Sequence, residues 1–404
     1  MDPRLAISSP PPQPFFSTPE QRLALARERY FEEGIRPSGI VSESVIQSWS
    51  RCIQQHRDPA EPIAFEPVTE ARVRTALARS RSLLDTAQAE LRQLETTLAG
   101  TACTVLLTDP HGVVVHATRP PRRHGDTVMP LAGRVGVNLA EDCIGTNAPG
   151  VTARTGLPSV VLGAEHFFSC VQVMRCAAAP IRNVRGEIAG VLDISSESRP
   201  FGFDAAAVVG LFATAIENRL LRAQSTEHVV LHLQTSPSLL DTPLEGLVGV
   251  APDGRIDWAN GAAARLLGIA PVGSGCVAEE AFGLGLSNLI ALTRRPDAWA
   301  HRLPSGLNVW MVARMQAADG VRRAVNLGRH APDSIPAPAA PAEAPPVPHA
   351  AALPMHEEQA EGSLRRSNRH LIVQTLEECG GNVSSAAKRL GVSRGLIYRH
   401  LKSA

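Results

Sequence analysis

The sequence predicts a multidomain α+β chain that ends in an all-α segment, and three observations carry that prediction. Apolar residues recur at helical spacing as far as Leu98, then give way at Thr101 to short strand-like runs. A second strand, turn, strand and helix pattern lies within residues 235–330. Residues 363–404 then hold two short helical patterns joined by a glycine turn. At 404 residues the chain is long enough for two or three domains.

Residues 1–19 are rich in proline and serine and are expected to be disordered. Residues 20–99 read as a helical N-terminal region. Within it "SVIQSWSRC" (Ser44–Cys52) sets Val45, Ile46, Trp49 and the following Ile53 on one stripe. Val73, Leu77, Leu83, Leu84, Leu91, Leu94 and Leu98 form a longer helical pattern, fit to enter the next domain and to serve as a dimer seam.

Residues 100–200 change period. "TACTVLLTDPHGVVVHAT" is two β-rich runs around Asp109-Pro110-His111-Gly112, and "CAAAPIRNVRGEIAGVLDISS" turns again at Asn183–Gly186. These runs, broken by helical stretches, describe an α+β sensor-like domain. Residues 201–234, with "FDAAAVVGLFATAIENRLLRAQ", read as an amphipathic signalling helix leaving it. In residues 235–330, "LEGLVGVAPDGRIDWANGAAARLLGI" is a hairpin turning at Asp253-Gly254, then a helix carrying Ala263, Leu266 and Leu267. Residues 331–362 are rich in alanine and proline, the composition of a semi-extended tether.

In residues 363–404, "GNVSSAAKRLGVSRGLIYRHLK" places Ser384 to cap a helix through Leu390 and Gly391 at the turn. Ser393 then caps a second helix from Arg394 to Lys402. From Leu364 onward eight basic residues face two acidic ones, a charge of +6 on a chain whose total is +1, so the remainder is acidic by about five charges. A basic pole on a helix-turn-helix is what binding to double-stranded DNA requires. The competing reading is a solvated helical hairpin with a basic face.

No run of apolar residues approaches the roughly 20 that span a bilayer, and no basic-then-apolar leader opens the chain, so a cytoplasmic protein without a membrane partner is expected. Seven scattered cysteines fit a reducing compartment. The only lysines are Lys388 and Lys402. The phosphate-binding Gly-x-x-x-x-Gly-Lys-Ser/Thr pattern is therefore absent, and no ATPase activity is expected.

Several of these stretches resemble known families. The terminal segment resembles the Fis-type helix-turn-helix, in which an Asn/Ser-Arg-Gly opens the recognition helix, as Ser393, Arg394 and Gly395 do here. That resemblance implies DNA contacts from Ser393, Arg394, Gly395, Leu396, Tyr398, Arg399 and Lys402, with Arg394 at a base edge and Arg399 and Lys402 at phosphates. "NGAAARLLG" resembles the opening of a PAS domain through Asn260, Ala262, Ala263 and Leu266-Leu267-Gly268. Residues Gly136–Ser196 resemble the GAF domain of acetoin-catabolism regulators through Glu141, Gly145–Ala148, Glu165–Phe167, Cys176, Ala178–Ile181 and Gly190–Asp193. "SWSRC" resembles the same family. The likeness covers most of residues 40–330 together with the C-terminal segment, and departs at Leu139 and Met174, where tryptophans are usual.

The GAF resemblance implies a small-molecule effector held by Glu141, Thr146, Asn147, His166 and Cys176. Thr146 and Asn147 equally suit a helix cap after Gly145, and His166 equally suits a satisfied histidine at a strand end. Cys103, Cys143, Cys170 and Cys176 raise the alternative of a thiol redox or metal sensor, or of a GAF-type methionine sulfoxide reductase. No Cys-x-x-Cys is present, so neither a catalytic residue, a metal ligand nor a cofactor is assigned. Members of the family normally carry an ATPase module for sigma-54 polymerase between sensor and helix-turn-helix, where this chain has its Ala/Pro stretch. The expected function is therefore transcriptional regulation as a homodimer on DNA. The routes open to it are DNA occupancy, contact with RNA polymerase, or interference with an ATPase-bearing relative.

Overall fold

The computed structural model describes residues 18–118, 125–273, 275–315 and Arg389. Two antiparallel five-stranded sheets, each with its own helices, make up the described N-terminal part. It opens with α1 (Pro19–Glu32), capped by Thr18 in a reciprocal box with Gln21, and α2 (Glu43–Gln54), capped by Ser42. Next come α3 (Glu70–Arg79), capped by Thr69, and α4 (Arg81–Thr97). The single long helical pattern of the sequence is thus broken at Ser80.

The first sheet is formed by β1 (Cys103–Thr108), β2 (Val114–Ala117), β3 (Ser159–Leu162), β4 (Met174–Arg182) and β5 (Ile188–Glu197), in the order β2-β1-β5-β4-β3. Between β2 and β3 lie three short helices, α5 (Met129–Ala132), α6 (Glu141–Ile144) and α7 (Ala148–Thr155). Two 3-10 turns at Gly163–Glu165 and Ser169–Val171 precede β4. Strand alternation sends side chains to two different cores. Val105, Leu107, Ala177, Ala179, Leu192 and Ile194 face α4 and the helix α8 (Ala205–Gln224). Leu106, Cys176, Ala178 and Val191 face α2 and the short helices, with Trp49, Phe167 and Phe168 fully buried there.

This packing revises two expectations. Leu83, Leu91 and Leu94, expected to suit a dimer seam, are buried against the chain's own sheet and α8. Within the "SVIQSWSRC" stripe, Val45, Ile46, Trp49 and Cys52 are buried, whereas Ile53 stays exposed because the helix packs one position round from the expected face.

The helix expected over residues 201–234 ends at Gln224, and Val229–Gln234 form β6, the central strand of the second sheet. Its sequence VVLHLQ alternates and carries two β-branched residues at the start, which suits a strand better than a helix. The second sheet adds β7 (Gly246–Val250), β8 (Ile256–Ala259), β9 (Trp299–Arg302) and β10 (Asn308–Met315), in the order β8-β7-β6-β10-β9. Its helices are α9 (Gly261–Leu267), α10 (Ala278–Phe282) and α11 (Leu286–Leu292). Asn260 caps α9 and Gly268 closes it in the left-handed region. In both sheets the first strand pairs with the second and the last, but the third strand lies beside the fourth in the first sheet (β3 on β4) and beside the second in the other (β8 on β7). No helix among the described residues is long and apolar enough to cross a membrane.

Candidate effector cavity and DNA-reading segment

The inward face of the first sheet leaves a cavity of about 40 Å³. It is walled mainly by Leu106, Met129, Leu139, Ile144 and Met174, with Asn147, His166, Cys176, Asp193 and Ser195 as its polar members. A water needs roughly 10–15 Å³ of such space, so the closed form holds only a few atoms. Leu139 and Met174, the two departures from the acetoin-regulator pattern, both line it.

Register explains how the polar wall arises. Cys176 lies opposite Ser195, and Ala178 opposite Asp193, across β4 and β5; Leu106 of β1 flanks Asp193 on the other side. With a period of two, Cys176, Asp193 and Ser195 share the face that looks away from α4 and α8. His166 arrives from the loop after β3. Its Nδ1 lies 3.0 Å from the Gly163 carbonyl, which fixes Nδ1 as the donor, and its bare Nε2 lies 3.5 Å from the Cys176 sulfur, which donates. Burial pushes the His166 ring down to about 4, so it is neutral at pH 7, and the Cys176 thiol far up. Asp193 is fully buried; its Oδ2 accepts the Ser195 hydroxyl at 2.6 Å, while Oδ1 has no partner among the described residues. Burial raises this carboxyl to about 7.

The other expected ligand residues have different employment. Asn147 is buried on the wall, but its amide donates to the carbonyls of Leu139 and Gly145 and accepts from Gly150 N–H, capping α7. Gly145 needs its lack of a side chain: its φ is 66°, and a Cβ would lie 2.8 Å from the Phe168 ring. Thr146 and Glu141 do not line the cavity. Thr146 shares a 2.7 Å hydrogen bond with Ser48, and Glu141 pairs in bidentate fashion with Arg51 at 2.5 and 2.8 Å. Both belong to the attachment of α2, which corrects their expected place in the pocket.

The helices α1 and α2 form a strap over the loop that carries His166. Arg27 donates to the carbonyls of Ala164, His166 and Phe167, and its guanidinium lies 4.6 Å from the Phe31 ring centre. Burial lowers Arg27 to about 10. Trp49 Nε1 donates to the Glu165 carbonyl at 2.7 Å. On the other side of the cavity the buried Glu197 carboxylate accepts the N–H groups of Thr127, Val128 and Met129, pinning Met129 in the wall.

The far ends of β4, β5 and α8 rest on the second sheet. Leu221, Val230, Leu247 and Trp258 form an apolar cluster with Val184 from the β4–β5 turn. Beside it, Asn260 donates to Asn218 of α8 at 2.9 Å, and Glu245 takes Arg222 of α8 at 3.3 Å and His232 at 2.9 Å. His232, Asp241 and Glu245 bring three potential metal-binding atoms within 4.8 Å. Arg222 and Arg314 already neutralise the two carboxylates, so the cluster is accounted for as part of this joint. The buried thiol of Cys52 is pushed up to about 11, the reverse of what a reactive thiolate needs.

Ser393, Arg394, Gly395, Leu396, Tyr398, Arg399 and Lys402 lie outside the described residues; Arg389, which precedes them, is helical and exposed.

Residues 18–212 match the family model described as MimR, N-terminal domain, and residues 363–403 match that of the bacterial regulatory protein, Fis family. The acetoin catabolism regulatory protein of Cupriavidus necator is 31% identical over 236 residues, covering 56% of this chain and 35% of that protein. The propane 2-monooxygenase operon transcriptional activator MimR of Mycolicibacterium goodii is 30% identical over 227 residues, covering 54% and 35%. The chain thus spans about a third of the length of these curated relatives. Among solved structures, the E. coli DhaR(N)-DhaL complex aligns with a TM-score of 0.42 at 16% identity, covering 67% of this chain and 99% of that chain.

These matches assign a MimR-type N-terminal domain to residues 18–212 and a Fis-family segment to residues 363–403. More particularly, the chain carries a MimR-type N-terminal domain and is homologous to the acetoin catabolism regulators.

Proposed function

We propose that the protein is a cytoplasmic, sequence-specific DNA-binding regulator whose first domain senses a small metabolite and which works without hydrolysing ATP. The observation that carries this reading is the combination, in one chain, of a small, mainly apolar cavity lined by a few buried polar residues and a Fis-type segment at residues 363–403. The names of the relatives point to operons for acetoin and propane metabolism, so a short oxygenated carbon compound is the effector class to try first. Leu139 and Met174 in the cavity wall support an effector differing from that of the acetoin regulators. A redox or metal sensor centred on Cys176 is less well supported, since that buried thiol is held protonated, while Cys143 and Cys170 are exposed.

In this reading Arg394 reads a base, Arg399 and Lys402 hold phosphates, and the protein binds as a homodimer on an inverted repeat. Regulation then acts through occupancy of DNA, contact with RNA polymerase, or competition with a longer ATPase-bearing relative. Selection of bound fragments from the source genome by the purified full chain is the test. Enrichment of an inverted repeat supports the reading, and recovery of DNA without sequence preference refutes it.

A further inference from the structure

Among the described residues, several buried polar atoms lack a partner, and only one of them belongs to a residue on the cavity wall: Oδ1 of Asp193. His166 and Cys176 satisfy each other, and Asn147 is consumed by backbone groups. Leaving a buried carboxyl oxygen unpaired is costly, so its retention calls for a compensating partner that the described residues do not supply.

We infer that Asp193 is the anchoring, specificity-determining residue of the sensor cavity, and that the site takes a small uncharged molecule carrying a hydroxyl or carbonyl group and rejects carboxylates. This rests on the effector reading above and goes beyond it by naming a residue and a chemical class. The wall contains no lysine or arginine, and His166 stays neutral, so an anion would enter without a countercharge and face a second acid. A carboxyl near its midpoint at neutral pH donates when protonated, to a carbonyl or hydroxyl, and accepts from a hydroxyl when ionised. The rest of the wall is apolar and suits a short carbon skeleton. At about 40 Å³ the cavity favours the smallest such molecules, and a four-carbon compound requires the wall to give way.

Calorimetric titration of the full chain at pH 7 with 3-hydroxybutan-2-one, butan-2-ol and butan-2-one, against butyrate and butylamine as size-matched ions, tests the inference. At least one of the three neutral compounds is expected to bind, and both ions at least tenfold more weakly. Asp193→Leu should fold, with a melting temperature equal to or above that of the wild type. It should nevertheless lose roughly ten- to a hundredfold in affinity for the neutral ligand. Asp193→Asn, which keeps a hydrogen-bonding group, should retain an intermediate affinity. Butyrate or butylamine binding as tightly as the neutral compounds, or unchanged affinity in the leucine variant, overturns the assignment and leaves the effector reading standing. If none of the five binds the wild type, the effector reading falls and the assignment falls with it.

Discussion

Asp193 shows how strand register turns an ordinary residue into a chemical feature. Its folded pKa lies near 7, against an ordinary 3.8, because burial disfavours the carboxylate. The native state therefore binds that proton more tightly than the unfolded chain, and the associated stability is complete below about pH 3.8 and lost as pH rises to about 7. Asp193→Asn has no such loss. Its melting temperature should gain on the wild type between pH 4 and pH 7, and the gap should level off above pH 8. The neighbouring His166 and Cys176 stay neutral through most of that window, so a scan of the two proteins reports Asp193; a gap independent of pH would refute the buried carboxyl. Asn147→Ala should lower stability by about 1–2 kcal/mol in denaturant unfolding, since the cap of α7 and two carbonyl contacts disappear together. Motif resemblance singled out His166, Cys176 and Asn147, which the fold does bring to one cavity. It also gathered Glu141 and Thr146, which pair with α2, because sequence proximity does not reveal which face of a short helix meets a neighbour. The Gly-Val-Leu-Asp run was visible too, but only the pairing of β5 with β1 and β4 shows its acid on the cavity side.

Among the elements, α1 and α2 matter through where they grip. The side-chain hydrogen bonds of Arg27 fall on the loop that presents His166, so the strap and the cavity wall form one unit. Arg27→Ala should cost about 2–3 kcal/mol, leaving buried carbonyls unpaired, and should speed amide exchange through residues 163–168. Exchange unchanged there would separate the strap from the cavity. Apolar spacing made this helical region legible in the sequence, while the caps Thr18 and Ser42 appear only in the structure, and the two hairpins of the first sheet were announced by Asp109–Gly112 and Asn183–Gly186. The extra strand β6 was not, since VVLHLQ follows a long helical stretch without a proline or glycine to mark the change. The second sheet depends on another local fit. A Cβ on Gly249 would lie 2.0 Å from the Trp258 indole nitrogen, so Gly249→Ala must displace that ring from the cluster with Leu221 and Val184. The variant should lower the melting temperature by several degrees, and a wild-type melting curve would contradict the packing described.

Across the whole molecule, the cavity-bearing strands β4 and β5 and the helix α8 all end on the second sheet, next to the Asn218–Asn260 and Arg222–Glu245–His232 contacts. A change in the cavity thus has a direct mechanical route to the second sheet, whereas the buried faces of α4 and α8 leave their outer surfaces for any partner copy. The basic C-terminal segment was read in the sequence from charge, capping spacing and its resemblance to the Fis type, and the Fis-family match covers it. Arg394→Ala should cost roughly 1–3 kcal/mol of binding and relax one base position, while Lys402→Ala should weaken all sequences alike, as read by competition gel shifts. The central claim, that effector and DNA are read by one coupled molecule, is tested most directly by fluorescence anisotropy on the selected DNA site. The account predicts that the neutral ligand from the calorimetric panel shifts the wild-type Kd for DNA at least fivefold, that DNA shifts the ligand affinity by the same factor, and that Asp193→Leu removes both shifts. Identical DNA binding with and without saturating ligand would contradict it.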